Sequence, residues 1–133
     1  MALTGGTNPD EILAAIAAEQ RTIERLLVEL VAAPTVLGQE SAGQQVMRAA
    51  FADLGLEPRE VGLDPEILRA HPGASPFSWD VSGKTNVVAD WGADEPDGGR
   101  PLILNGHVDV VSPEPSDMWS SPPFTGKIGR AHV

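Results

Sequence analysis

His107 and Asp109 are the residues of this sequence best suited to chemistry, and they end an apolar run written LILNGHVDVV, residues 102–111. In an extended chain, residues two apart project to the same side, so the imidazole and the carboxylate can meet. A neutral imidazole is a good zinc ligand when its other ring nitrogen has a hydrogen-bond acceptor, such as a carboxylate. A structural interpretation stays open beside it: a strand-end histidine bonded to backbone, followed by an aspartate that caps a turn.

The remaining histidines and acidic residues favour structural roles. His71 precedes a proline in a stretch rich in Pro, Gly and Ser, and we expect it to be solvated; His132 stands beside the C-terminus and is expected to be a tail residue. An acidic stretch between residues 90 and 97 is expected to be a solvated turn, because its spacing does not supply the ordered ligands of a calcium loop; its members are Asp90, Asp94, Glu95 and Asp97. The sequence contains no cysteine, which excludes disulfides and thiolate metal sites.

The elements that must position the His107–Asp109 pair are two helices and a few strands. Asn8, Pro9 and two acidic residues are typical of a helix start, and an apolar stripe with helical spacing predicts a helix over residues 9–32. A second helix is predicted over residues 40–54, with Gly55 as its left-handed C-terminal residue. Residues 85–91 and 101–105 are predicted strands that pair with each other, and Pro58 to Val61 is a candidate short strand.

This order of elements predicts an α/β or α+β arrangement in which helices cover a sheet. Residues 1–8 are expected to form a flexible leader and residues 9–133 one structural unit. The chain stops after a long irregular stretch, with no closing strand or helix, and we therefore expect it to be an incomplete domain.

Composition excludes several classes of function. Acidic residues number 19 against 9 basic ones, for a net charge of −10. That balance argues against nucleic acid or an anionic membrane as a partner, because both need a basic surface. No apolar run approaches the roughly 20 residues of a membrane span, and the N-terminus lacks the pattern of a signal peptide. A cytoplasmic location is the resulting expectation.

The run LILNGHVDVV, followed by Trp119 and by Pro123-Phe124, resembles the zinc-dependent peptidase and deacylase family. That family includes acetylornithine deacetylase, succinyl-diaminopimelate desuccinylase, aminoacylase and carboxypeptidase G. Its signature is a strand that ends in G-H-x-D-V-V, followed by a W…P-F loop. The resemblance implies that this chain is the N-terminal portion of a three-layer α/β/α catalytic domain, without the lid or dimerisation domain.

By the same resemblance, His107 matches the first zinc ligand and Asp109 the acid that orients it. The family binds two zinc ions per site, with cobalt as a substitute, and the full-length protein is expected to be able to form a homodimer. Its bridging aspartate, its Glu-Glu pair and its late histidine have no counterpart in these 133 residues. The resemblance therefore implies an inactive chain within an enzyme that cleaves N-acyl amino acids or small peptides. The alternative is a non-catalytic α/β fragment or binding module.

Overall fold

The computed structural model describes residues 8–92 and 101–127, and its elements alternate between helices and short strands. Helix α1 spans Pro9–Ala18, α2 spans Gln20–Ala32 and α3 spans Ser41–Asp53. Strand β1 (Arg59–Gly62), helix α4 (Pro65–Ala70) and strand β2 (Thr85–Val88) follow, and one turn of 3-10 helix covers Ser116–Met118. The described residues thus form a mixed arrangement of helices and a small sheet, which is compatible with the predicted α/β class.

Local signals in the sequence explain where the helices begin and end. The Asn8 side chain accepts a hydrogen bond from the Asp10 backbone N–H at 3.1 Å and caps α1, and Asp64 caps α4 in the same way. The single helix predicted over 9–32 is two helices that meet at Glu19, which ends α1 and begins α2. Gly55 follows α3 with a φ of 76°, as predicted, because this left-handed conformation favours a residue without Cβ.

The sheet has two antiparallel strands, and its pairing differs from the prediction. β2 pairs with β1 in the register Arg59↔Val88 to Gly62↔Thr85, and not with residues 101–105. The candidate strand at Pro58 to Val61 is therefore confirmed within one or two residues, and the predicted strand over 85–91 is shortened to its first four residues. Helix α3 contacts both α2 and β2, which joins the helices to the sheet.

The predicted strand over 101–105 is wrong for this structure. Leu102, Ile103 and Leu104 lie outside any strand and are exposed, with Ile103 at 88% of its full accessibility. No backbone hydrogen bond joins residues 101–105 to another described residue. The free edge of β2 does not supply a partner, since the Val87 backbone N–H donates to the Gln44 side chain of α3 at 3.1 Å. An apolar strand needs the backbone of a neighbouring strand, and the described residues supply none next to residues 101–105.

The buried part of the described chain is small. Among these residues, Val81 is the one buried hydrophobic side chain, and Thr35, at 1% accessibility, is the most deeply buried polar residue. The exposed large hydrophobic side chains include the α1 and α2 stripe at Ile12, Ile16, Ile23 and Leu27. No helix of the described residues is long and apolar enough to cross a membrane.

Candidate functional site

The imidazole of His107 and the carboxylate of Asp109 are in contact, as their spacing suggested. His107 Nδ1 lies 3.2 Å from Asp109 Oδ1 and 3.0 Å from the Asp109 backbone oxygen. Both partners are oxygen acceptors, so the contact requires Nδ1 to carry the proton. In the neutral ring, the lone pair is then on Nε2. The His107 side chain is 83% exposed, which leaves this nitrogen open to a ligand.

The backbone around the pair is held against the helices at one place. Val110 forms an isolated parallel bridge with Val36, in which the Val110 backbone N–H donates to the Thr35 carbonyl at 3.0 Å. The Thr35 hydroxyl donates to the Val108 carbonyl at 2.6 Å. His107 and Asp109 are thus presented on the solvent side of an extended segment whose other side faces the loop between α2 and α3. Sequence patterns had not indicated Thr35, although a threonine after the helix-ending Pro34 was visible.

The donor set of this pair fits one ligand position of a zinc site. A neutral imidazole with a free Nε2 and a carboxylate behind Nδ1 is the arrangement that fixes a zinc-binding histidine. A catalytic zinc normally takes three protein ligands. Within residues 8–92 and 101–127, no group of three or more His, Asp or Glu side chains could hold a metal ion.

The other sequence candidates do not converge on His107. The His71 ring ends α4, where its Nδ1 accepts a hydrogen bond from the Gly73 backbone N–H at 3.1 Å, as expected for a solvated loop histidine. Asp90 forms a loose ion pair with Arg59 at 3.5 Å on the surface. Three of the acidic residues and His132 lie outside the described residues.

Trp119 serves the loop that follows the candidate site. Its indole Nε1 donates to the Pro113 carbonyl at 2.7 Å, and about half of the side chain is exposed. The bond joins residues six apart within the same loop, so it shapes that loop locally.

Comparison with known proteins gives a consistent but partial similarity. No family model matches the chain. It is 43% identical over 52 residues to succinyl-diaminopimelate desuccinylase 1 of Alteromonas mediterranea, covering 38% of this chain and 12% of that protein. It is 29% identical over 108 residues to the succinyl-diaminopimelate desuccinylase of Variovorax paradoxus, covering 79% of this chain and 23% of that protein.

A further relative carries a different name. The chain is 36% identical over 62 residues to the N-formyl-4-amino-5-aminomethyl-2-methylpyrimidine deformylase of Halalkalibacterium halodurans, covering 46% of this chain and 14% of that protein. The chain spans 12–23% of the length of the curated relatives it matches. Together, the desuccinylases and the deformylase support a relationship of this chain to a peptidase and deacylase family of hydrolases.

Proposed function

We propose that this chain is the N-terminal part of a zinc-dependent amide hydrolase of the deacetylase and desuccinylase type. Its substrates would be N-acyl amino acids or small peptides. The observation that carries the proposal is the contact of His107 Nδ1 with two oxygens of Asp109, which leaves Nε2 free and exposed. The similarity to desuccinylases and to a deformylase supports an acyl-amide substrate.

In this proposal, His107 is a zinc ligand and Asp109 orients it. The Asp109 carboxylate would hold the proton on Nδ1 and thereby fix the tautomer and the orientation of the ring, which is the usual role of a carboxylate behind a metal-binding histidine. Zinc, when bound, would acidify a water molecule and polarise the amide carbonyl. The further donors and the general base would come from other parts of a longer protein, which would complete a three-layer α/β/α domain around two metal ions. The 133-residue chain by itself would then be inactive.

The test uses the full-length protein, with zinc content and hydrolysis of N-succinyl, N-acetyl and N-formyl amino acids as measurements. We expect His107→Ala to lose one zinc per subunit and nearly all activity, because the metal and its activated water are lost together. His71→Ala is the matched control, since this histidine is exposed and bonded within its own loop. Full activity and metal content in His107→Ala would refute the proposal.

Asp109→Asn tests the orienting role with a smaller change. The asparagine oxygen can still accept a hydrogen bond from Nδ1, but the negative charge is gone. We expect zinc to remain bound more weakly and activity to fall by about 10–100-fold, the usual cost of altering a residue behind a metal ligand. Wild-type activity and zinc affinity in Asp109→Asn would show that the carboxylate charge has no part in the reaction.

A further inference from the structure

Thr35 holds the backbone on both sides of Asp109. Its hydroxyl donates to the Val108 carbonyl at 2.6 Å, and its own carbonyl accepts from the Val110 backbone N–H at 3.0 Å. One residue, distant by more than 70 positions in sequence, therefore fixes the peptide groups before and after the aspartate. Thr35 is itself almost fully enclosed, at 1% accessibility. A buried side chain has few alternative conformations, so the Thr35 groups that make both hydrogen bonds are held in one position.

Gly43 brings helix α3 close enough to enclose this contact. It is the buried residue of α3, and a Cβ built on it would lie 2.7 Å from Thr35 Cγ2 and 3.1 Å from Val108 Cβ. A glycine within a helix costs about 1 kcal/mol relative to alanine, and a close approach of this kind explains why one is present. Helix α3 thereby confines both the Thr35 methyl group and the Val108 side chain.

Successive side chains of an extended segment point to opposite sides, so holding Val108 also determines the side on which His107 and Asp109 lie. The Val108 side chain packs towards Gly43, so His107 and Asp109, its neighbours on either side, project the other way. No hydrogen bond from elsewhere in the described chain reaches residues 101–111 except those made by Thr35. The peptide groups on either side of Asp109 are thus held by a buried residue.

We propose that Thr35 is a positioning residue for the His107–Asp109 pair, acting through the two peptide groups that it holds around Asp109. With Thr35 in place, the Asp109 oxygens stay within reach of Nδ1, and the imidazole keeps a single tautomer with Nε2 free. The use of that Nε2 by a metal rests on the function proposed above. The tautomer itself does not, and it can be measured without any metal.

The experiment uses the 133-residue chain, labelled with ¹⁵N at histidine, metal-free and at a pH where the imidazole is neutral. Three variants are compared. Thr35→Val removes the hydroxyl and keeps the shape, Thr35→Ser keeps the hydroxyl and removes the methyl group, and Thr125→Val is the control. Thr125 is a matched residue because its exposed hydroxyl also donates to a backbone carbonyl, that of Pro122 at 2.8 Å, within its own loop.

The two variants of Thr35 give opposite results depending on whether its hydroxyl positions the site or its methyl group only fills space. We expect Thr35→Val to lose the ¹⁵N signature of a single Nδ1–H tautomer at His107, and Thr35→Ser and Thr125→Val to keep it. If Thr35 only fills space, the valine variant keeps the signature and the serine variant loses it, which would overturn the proposal. Should the valine variant fail to fold, the serine variant decides alone, since loss of the signature there has the same meaning.

Zinc titration of the same variants in the longer protein proposed above links the positioning to the proposed function. We expect Thr35→Val to weaken zinc binding by about tenfold, within the range for changes behind a metal ligand, and Thr35→Ser to bind as wild type does. A wild-type protein that binds no zinc would refute the proposed function while the tautomer result stands. Zinc binding in wild type with an unchanged tautomer and affinity in Thr35→Val would refute the positioning role alone.

Discussion

Two regions of this molecule differ in how much regular structure they form. The first is the helix–sheet unit, residues 20–88, which contains α2, α3, β1 and β2. The second is the site segment, residues 101–111, which contains LILNGHVDVV. The helix–sheet unit forms regular helices and a pair of antiparallel strands, whereas the apolar half of the site segment forms no strand and is exposed.

Side chains at the start of α3 hold the helix–sheet unit together. At the N-terminus of this helix, Glu40 accepts a hydrogen bond from the Lys84 ammonium at 2.7 Å, just before β2 begins. One turn further on, Gln44 accepts from the Val87 backbone N–H. Both contacts join residues more than 40 positions apart, and both act on the strand that pairs with β1. Strand β2 is therefore held on both edges, by β1 on one and by helix α3 on the other.

The site segment is anchored at its far end alone. Thr35 holds Val108 and Val110, and nothing among the described residues pairs with Leu102, Ile103 or Leu104. An apolar run thus becomes a strand only where another backbone supplies its hydrogen bonds. The segment that carries His107 and Asp109 is held instead by one residue from a distant part of the sequence.

Gly43, where α3 meets the site segment, should give the largest change in stability. We expect Gly43→Ala to destabilise the chain by about 1–2 kcal/mol, since an overpacked contact costs roughly 1–3 kcal/mol and the gain in helix propensity returns up to about 1 kcal/mol. Urea unfolding measures this. Gly62→Ala is the control, because a Cβ there meets no atom within 4 Å. An equally stable or more stable Gly43→Ala protein would show that the two regions are not in close contact.

The Glu40–Lys84 pair should make the stability of the helix–sheet unit sensitive to acid. Partial burial acts to raise the pKa of Glu40, but hydrogen bonds from Lys84 and from the Gly38 backbone N–H outweigh it and lower the pKa from 4.5 to about 2. A carboxylate whose pKa is lowered by folding stabilises the folded state above its unfolded pKa. This contribution is then lost as the pH falls from roughly 5 towards 2.

We expect Glu40→Gln to remove this part of the pH dependence and to cost about 1 kcal/mol near neutral pH, the upper end for a partly exposed pair. Urea unfolding at about pH 7 and about pH 3 measures both effects. Glu57→Gln, at an exposed position before β1, is the control. The interpretation fails if Glu40→Gln loses as much stability between the two pH values as the wild type does.

The smallest effect should come from the exposed half of the site segment. In the 133-residue chain, Ile103→Ala should change the free energy of unfolding by no more than about 0.5 kcal/mol, as exposed positions usually do. Val81→Ala, at 5% accessibility, should cost about 1–3 kcal/mol. Thermal or urea unfolding of the two variants compares the regions directly. A loss of more than 1 kcal/mol in Ile103→Ala would mean that residues 102–104 are packed in solution.

The features that could be predicted from the sequence are short-range. Asn8 caps α1 through a bond to a residue two positions away, so its neighbourhood in sequence was sufficient to predict it. Asp64 caps α4 through bonds of the same short range. The meeting of His107 with Asp109 follows from the alternation of an extended chain, which is also a short-range property. The break between α1 and α2 at Glu19 carries no Pro or Gly, the usual local signals for a helix end, and was missed.

Contacts between distant residues depend on the whole fold and not on local sequence. The pairing of β2 with β1, the Glu40–Lys84 contact and the Thr35–Val108 hydrogen bond each join parts of the chain more than twenty residues apart. Apolar character states that a segment favours burial, but it does not name the partner. Residues 102–104 have a strong strand pattern, yet they form no strand because no neighbouring backbone among the described residues pairs with them.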